Sequence, residues 1–277
     1  MNMRKIGNFI TLVVVVALFL TAVQAAAAGK GESVSPVIDR IVAKKELVVG
    51  TAASMPPLNM TTKDGQIIGM EVDLAKLFAD ALEVKLTLKP MRFDELMGAL
   101  DTGKVDMVLS GMTMTPLRNL KVAFAGPYFD SGKSLLVKEE NTASVRSTAR
   151  LNTPEKTLVA LKGSTSQRFV EKLMPQAKLL LADDYAQAIA MVRDDKALAM
   201  VADAPICLVS VFRYPEAGFA TLDKPLSYEP IGVALPPNDP LLVNLVQNTI
   251  STLNKTGEME AIMKQWFRSK DWIKQLP

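Results

Sequence analysis

The chain has 277 residues, 49% hydrophobic and 22% charged, with 32 basic against 29 acidic side chains and a formal charge of +3. That balance suits one large globular domain or two modest ones, and offers no charge excess to suggest nucleic acid or an anionic membrane as partner. With no histidine and a single cysteine, Cys207, His-based triads, intrachain disulfides and ordinary transition-metal sites are excluded, and no metal or cofactor is expected.

The N-terminus reads as an export leader. MNMRK is positive, Phe9 to Val23 is largely apolar, and Val23-Gln24-Ala25 and Ala26-Ala27-Ala28 are small-residue cleavage patterns. The apolar run is shorter than the roughly 20 residues a bilayer-spanning helix needs. A cleaved leader over residues 1–28, cut after 25 or 28, and a periplasmic location are therefore expected. Its removal takes Arg4 and Lys5 but no acid, leaving 30 basic against 29 acidic residues, about +1.

A polar start, 29–36, leads to Ile38, Ile41 and Val42 on one helical face. Residues 45–51, KELVVGT, read as a strand. Leu74, Leu77, Phe78 and Ala81, then Phe93, Leu96, Met97 and Leu100, follow the helical i, i+3, i+4, i+7 rule around an alternating strand at 84–88. Val105 to Leu109 is a further buried strand. The pattern returns after residue 150, with strands at 157–161, 178–181 and 197–202 and a helical face through Tyr185, Ala188, Ile189 and Val192. Leu242, Leu245, Val246, Thr249 and Leu253, then Met259, Ile262, Met263 and Trp266, give two more helical faces. The expectation is two α/β lobes of similar plan, each a sheet flanked by helices.

In open α/β sheets ligands lie beyond the carboxyl ends of the strands. One such end is GKVDMVLSGMTMTPLR, residues 103–118. Thr115 suits an N-cap and Pro116 the first helical position. Gly111 lets a ligand approach the backbone, Thr113 presents a hydroxyl, and Arg118 offers a fork matched to a carboxylate, or else a surface salt bridge. Ser164 and Thr165 lie at a strand-to-helix turn that favours an anion, although Ser164 with Gln167 also forms a capping box. Asp203 ends a buried strand and suits an ammonium, or else caps the helix that begins at Ala204-Pro205. Cys207, in an apolar run, reads as a small buried hydrophobe.

Several stretches in their order resemble the periplasmic amino-acid-binding proteins of ABC transporters, solute-binding protein family 3. They are GMEVDLAKLF (69–78), FDELMGALDTGKVDMVLSGMTMTPLR (93–118), VAFAGPY (122–128), KGST (162–165), IGVAL (231–235) and KQWF (264–267). The resemblance spans about 37–277. It implies a two-lobe flytrap of mixed sheets, with lobe I at 37–129 plus 231–277, lobe II at 130–229, and hinge crossings near Phe129–Gly132 and Ser227–Gly232. By position it implies that Arg118 takes a ligand carboxylate, with Thr113 and Thr165, and that Asp203 takes its ammonium. It further implies a binding protein rather than an enzyme, a monomer, an amino-acid ligand and a membrane permease as partner. One departure bears on specificity. Where the family often has an acid followed by aromatics, this chain has AASMPPL (52–58), with Met55 and Leu58 in the aromatic places. That leaves a soft apolar wall and no anion for a cationic side chain, so a neutral amino acid is expected. The opening IDRIVAKKELVVGT also resembles cyclohexadienyl dehydratases on the same fold, which keeps an enzyme as the alternative. A sensory ligand-binding module is a further alternative.

Overall fold

The computed structural model describes residues 33–145 and 148–277. The expected leader lies outside the described residues. The helices are α1 (Pro36–Lys44), α2 (Met70–Ala81), α3 (Leu96–Asp101), α4 (Pro116–Asn119), α5 (Thr148–Leu151), α6 (Thr165–Leu173), α7 (Tyr185–Arg193), α8 (Ala204–Arg213), α9 (Pro240–Thr256) and α10 (Glu258–Met263).

Two five-stranded mixed sheets organise the chain. The first has the order β5-β1-β6-β13-β7, from Lys85–Pro90, Glu46–Thr51, Met107–Val108, Glu229–Leu235 and Ala123–Ser131. The second has the order β10-β9-β11-β8-β12, from Lys178–Ala182, Thr157–Leu161, Ala199–Asp203, Lys133–Lys138 and Phe219–Thr221. In each, four strands run one way and one, β13 in the first and β8 in the second, runs opposite. A small antiparallel sheet of β2 (Ser54–Met55), β3 (Asn59–Thr61) and β4 (Ile67–Ile68) sits on the first lobe. Only Gly132 separates β7 in the first sheet from β8 in the second, and the chain returns between β12 and β13. The two strand systems are thus joined by two neighbouring crossings.

Local chemistry sets most boundaries. The side chain of Thr115 accepts from the Arg118 N–H, that of Ser164 from Gln167 and that of Asp184 from Gln187, each filling an orphan donor of a first turn. Asp239 does this for two helices. It accepts from Leu242 N–H of α9 at 2.9 Å and from Val37 N–H of α1 at 2.8 Å. In α2, Leu74, Ala75 and Phe78 are buried against the first sheet.

Two expectations need correction. Val42 is exposed, because α1 buries the i, i+4 pair Val37 and Ile41 instead. The strand expected over 105–109 pairs through Met107–Val108 alone. Its flanks stay extended, with Asp106 N–H on Val48 O and Leu109 N–H on Gly50 O. All five residues are buried, so the apolar run reports burial more faithfully than ladder length.

Candidate functional site

Arg118 lies on the single turn of α4 and is 8% exposed. Its Nη1 donates to Thr113 O at 2.8 Å in its own lobe, and its Nη2 to Gly163 O at 3.3 Å in the other. The guanidinium stands 5.6 Å over the Phe93 ring, a cation–π contact that helps hold its plane. Thr113 Oγ1 and Thr165 Oγ1 meet across the same junction at 3.2 Å. At the rim, Lys162 pairs with Asp94 at 3.0 Å and Arg92 with Asp183 at 2.7 Å. Beneath them one apolar cluster runs through both lobes, joining Met55, Phe93 and Met112 to Leu161, Tyr185 and Ile206. The two lobes are therefore closed on each other.

Asp203 ends β11 and is buried, but its side chain does not cap α8. Its Oδ1 accepts instead from Lys133 Nζ at 2.7 Å, and the same ammonium stands 3.5 Å from Glu229 Oε2. Lys133 and Asp203 are register partners on antiparallel strands, and both are buried. Burial lowers the pKa of Arg118, and neighbouring Arg168 lowers it further, while Asp203, Glu229 and Tyr185 hold it up, leaving it at about 10. The Asp203 carboxylate is thus one of the anions whose field favours the charged guanidinium. Beside Arg118 a cavity of about 140 Å³ opens between Lys121, Thr165 and Arg168. Larger cavities of about 330 Å³ near Arg40 and 510 Å³ near Phe129 and Phe267 contain neither Arg118 nor Asp203.

The remaining sequence candidates take more structural places. Ser164 caps α6 and donates to Leu161 O at 2.6 Å, so its hydroxyl is engaged within the lobe. Gly111 adopts φ +57, and a Cβ there would lie 2.5 Å from Met55 Cε. Its missing side chain makes room for Met55 as well as for the left-handed backbone. Leu58 belongs to the first lobe's core, with Cδ1 against Gly111.

Several residues escaped the sequence reading. Glu71, inside the 69–78 signature, is buried and accepts from Gly111 N–H at 2.6 Å, from the Tyr128 hydroxyl and from Asn59. It anchors the loop that carries Thr113. Burial pushes its carboxyl above the ordinary range, against the pull of those three hydrogen bonds. Lys133 and Glu229 were also missed, and Tyr185 was read only as part of a helical face. A lysine opening an apolar strand was the available signal for the first, but its partner depends on cross-strand register. Cys207 is buried and its thiol is pushed up to about 12, chiefly by burial, as a packed hydrophobe requires. Among the described residues, no helix is long and apolar enough to cross a membrane, and no acidic or thiol cluster is placed to hold a metal.

Comparison with known proteins agrees with this architecture. The chain is 25% identical over 228 residues to ABC transporter arginine-binding protein 1 of Escherichia coli strain K12, covering 81% of this chain and 92% of that protein. It is 24% identical over 229 residues to the cyclohexadienyl dehydratase of Pseudomonas aeruginosa, covering 83% and 85%. A lysine complex of a proposed ABC-transporter binding component from Wolinella succinogenes superimposes with a TM-score of 0.79 at 35% identity, covering 83% of this chain and 99% of that one. The family model for bacterial extracellular solute-binding proteins, family 3, matches residues 47–269. With most of its length under that match, and with the two-lobe fold just described, the chain belongs to the bacterial extracellular solute-binding proteins, family 3.

Proposed function

We propose that this solute-binding protein captures an amino acid with an uncharged side chain between its lobes and delivers it, as a periplasmic monomer, to an ABC permease. The observation that carries the reading is the buried Arg118 guanidinium, which reaches from Thr113 O in one lobe to Gly163 O in the other, with the buried Asp203 carboxylate supplied by the second lobe. Arg118 takes the α-carboxylate, with the Thr113 and Thr165 hydroxyls beside it. The α-ammonium goes to the Asp203 oxygen that Lys133 does not occupy. Gly111 and Ser164 shape the backbone on either side, and Met55, supported by Leu58, lines the side-chain end. A ligand held by one lobe alone gains little. One that spans both favours the closed state by its differential affinity, and the exclusion of water strengthens each ion pair.

The test is a thermal-shift screen of the mature protein against the twenty amino acids and small dicarboxylates. A ligand at a hundredfold its Kd adds about 2.7 kcal/mol of stability, and no stabilisation by any amino acid refutes the reading. The dehydratase relative supports a second reading, an enzyme acting on prephenate-like acids. Such chemistry needs a placed general acid. Asp203 is the candidate acid there, and its carboxylate is already engaged by Lys133 at 2.7 Å. Turnover of prephenate or arogenate by the purified protein would replace the binding reading with the enzymatic one.

A further inference from the structure

Lys133 is a lysine with no solvent exposure, and its Nζ has two carboxylate neighbours, Asp203 at 2.7 Å and Glu229 at 3.5 Å. Lysines are almost never buried so completely unless paired, because desolvating an ammonium is costly. A simple ammonium-binding crevice has no need of this one. Asp203 alone offers an anion to a ligand, and a fixed cation bonded to that anion weakens the offer.

The surrounding charges show what the lysine changes. On the reading above, Arg118 and Lys133 bring two positive charges to the proposed crevice, and Asp203 and Glu229, both within ion-pair reach of Lys133, bring two negative ones. Arg168 adds a further positive charge on the Arg118 side. The other acids nearby are already engaged. Asp94 is shared by Arg92 and Lys162, Asp183 is paired with Arg92, and Glu71 holds Gly111, Tyr128 and Asn59. At the side-chain end, residues 52–54 are Ala52, Ala53 and Ser54, with no carboxylate. A zwitterion with a neutral side chain leaves this field balanced. A second ligand cation meets no counter-charge, in a site where water is excluded and Coulomb terms are large.

We propose that Lys133 is a specificity-determining residue. Its internal ammonium offsets the anionic end of the crevice, so that the site takes zwitterions with uncharged side chains and turns away cationic amino acids. This rests on the amino-acid-binding reading above, and adds that the discrimination is electrostatic and resides in a residue beneath the ligand rather than in the wall around its side chain.

The experiment is calorimetric titration of the mature wild type, Lys133→Gln and Glu229→Gln with two probes, glutamine and lysine. The wild type should bind glutamine more tightly. Lys133→Gln keeps a hydrogen-bond donor for Asp203 and removes one positive charge, so lysine should gain on glutamine by roughly tenfold or more. Glu229→Gln removes one negative charge, so the ratio should move the opposite way. Opposite movement separates an electrostatic role from general damage, which would weaken both probes alike. Glu229→Gln also keeps the test alive if Lys133→Gln does not fold. The proposal is overturned by a wild type that binds lysine as tightly as glutamine, or by folded variants whose ratio stays within twofold of wild type. A wild type that binds neither probe, nor any other amino acid in the thermal screen, overturns the underlying reading and this proposal with it.

Discussion

Replacing Arg118 by alanine separates binding from folding, because the two effects have different sizes. On the proposed role of Arg118, the substitution leaves the ligand carboxylate buried without its cation, which costs about 3–5 kcal/mol. That corresponds to a loss of affinity of roughly hundreds- to thousands-fold. In the ligand-free protein two terms oppose each other. The guanidinium gives up hydrogen bonds to Thr113 O and Gly163 O, each contributing about 1.5–3 kcal/mol for a charged donor. Its removal also relieves the burial and the Arg168 repulsion that lower its pKa to about 10, a shift equivalent to about 3 kcal/mol against the charged form. The net change in folding stability is therefore about 0–3 kcal/mol, at most several degrees in Tm for a chain of this size. Calorimetry on the amino acid found in the thermal screen, with a urea melt of the ligand-free protein, reads both quantities. Near-normal affinity in a folded Arg118→Ala protein would remove this arginine from the site. A collapse of folding with affinity intact in the surviving fraction would make it a structural clamp between the lobes.

Three further outcomes follow from the packing. Burial raises the Glu71 pKa above its ordinary value near 4.5, so the folded state holds that proton more tightly than the unfolded one. Its contribution to stability is complete below about 4.5 and is lost as pH rises through the folded value. Urea melts between pH 4 and 8 should show this decline in the wild type and a flatter profile in Glu71→Gln. Equal slopes would rule Glu71 out as its source. At Gly132, between β7 and β8, a Cβ would stand 2.2 Å from Ser227 O and 2.5 Å from Pro225 Cβ. Gly132→Ala must push the two crossings apart and should cost about 3 kcal/mol, whereas a wild-type urea midpoint would show that the crossings separate freely. The Cys207 thiol, buried and with its pKa pushed up to about 12, should react with a thiol reagent at the rate of unfolding. Prompt modification of the native protein would contradict its burial.

Lys133 and Asp203 show why part of the site was hidden from the sequence. Asp203 was visible because it ends an apolar run and precedes Ala204-Pro205. Both ligand and cap roles fitted those neighbours, and only the placement of Lys133, 70 residues away in sequence, leaves the cap unused. Glu71 lay in plain view within a signature, yet its task of holding Gly111 and Tyr128 depends on three segments converging. Arg118 was the opposite case. Its cap, its proline and its position after a buried strand are all local, so its direction was legible before the fold was known.

The sequence alone determined the alternation of strands and helices, the helix starts at Thr115 and Ser164, and the candidate residues Arg118 and Asp203 at strand ends. Those features depend on side-chain period and on hydrogen bonds within a few residues of one another. Tertiary structure decided which charges neutralise one another. Cross-strand register sets Lys133 against Asp203, and closure brings Arg118 onto Gly163. Both bring together residues distant in sequence, where electrostatic strength depends on separation in space and on the exclusion of water.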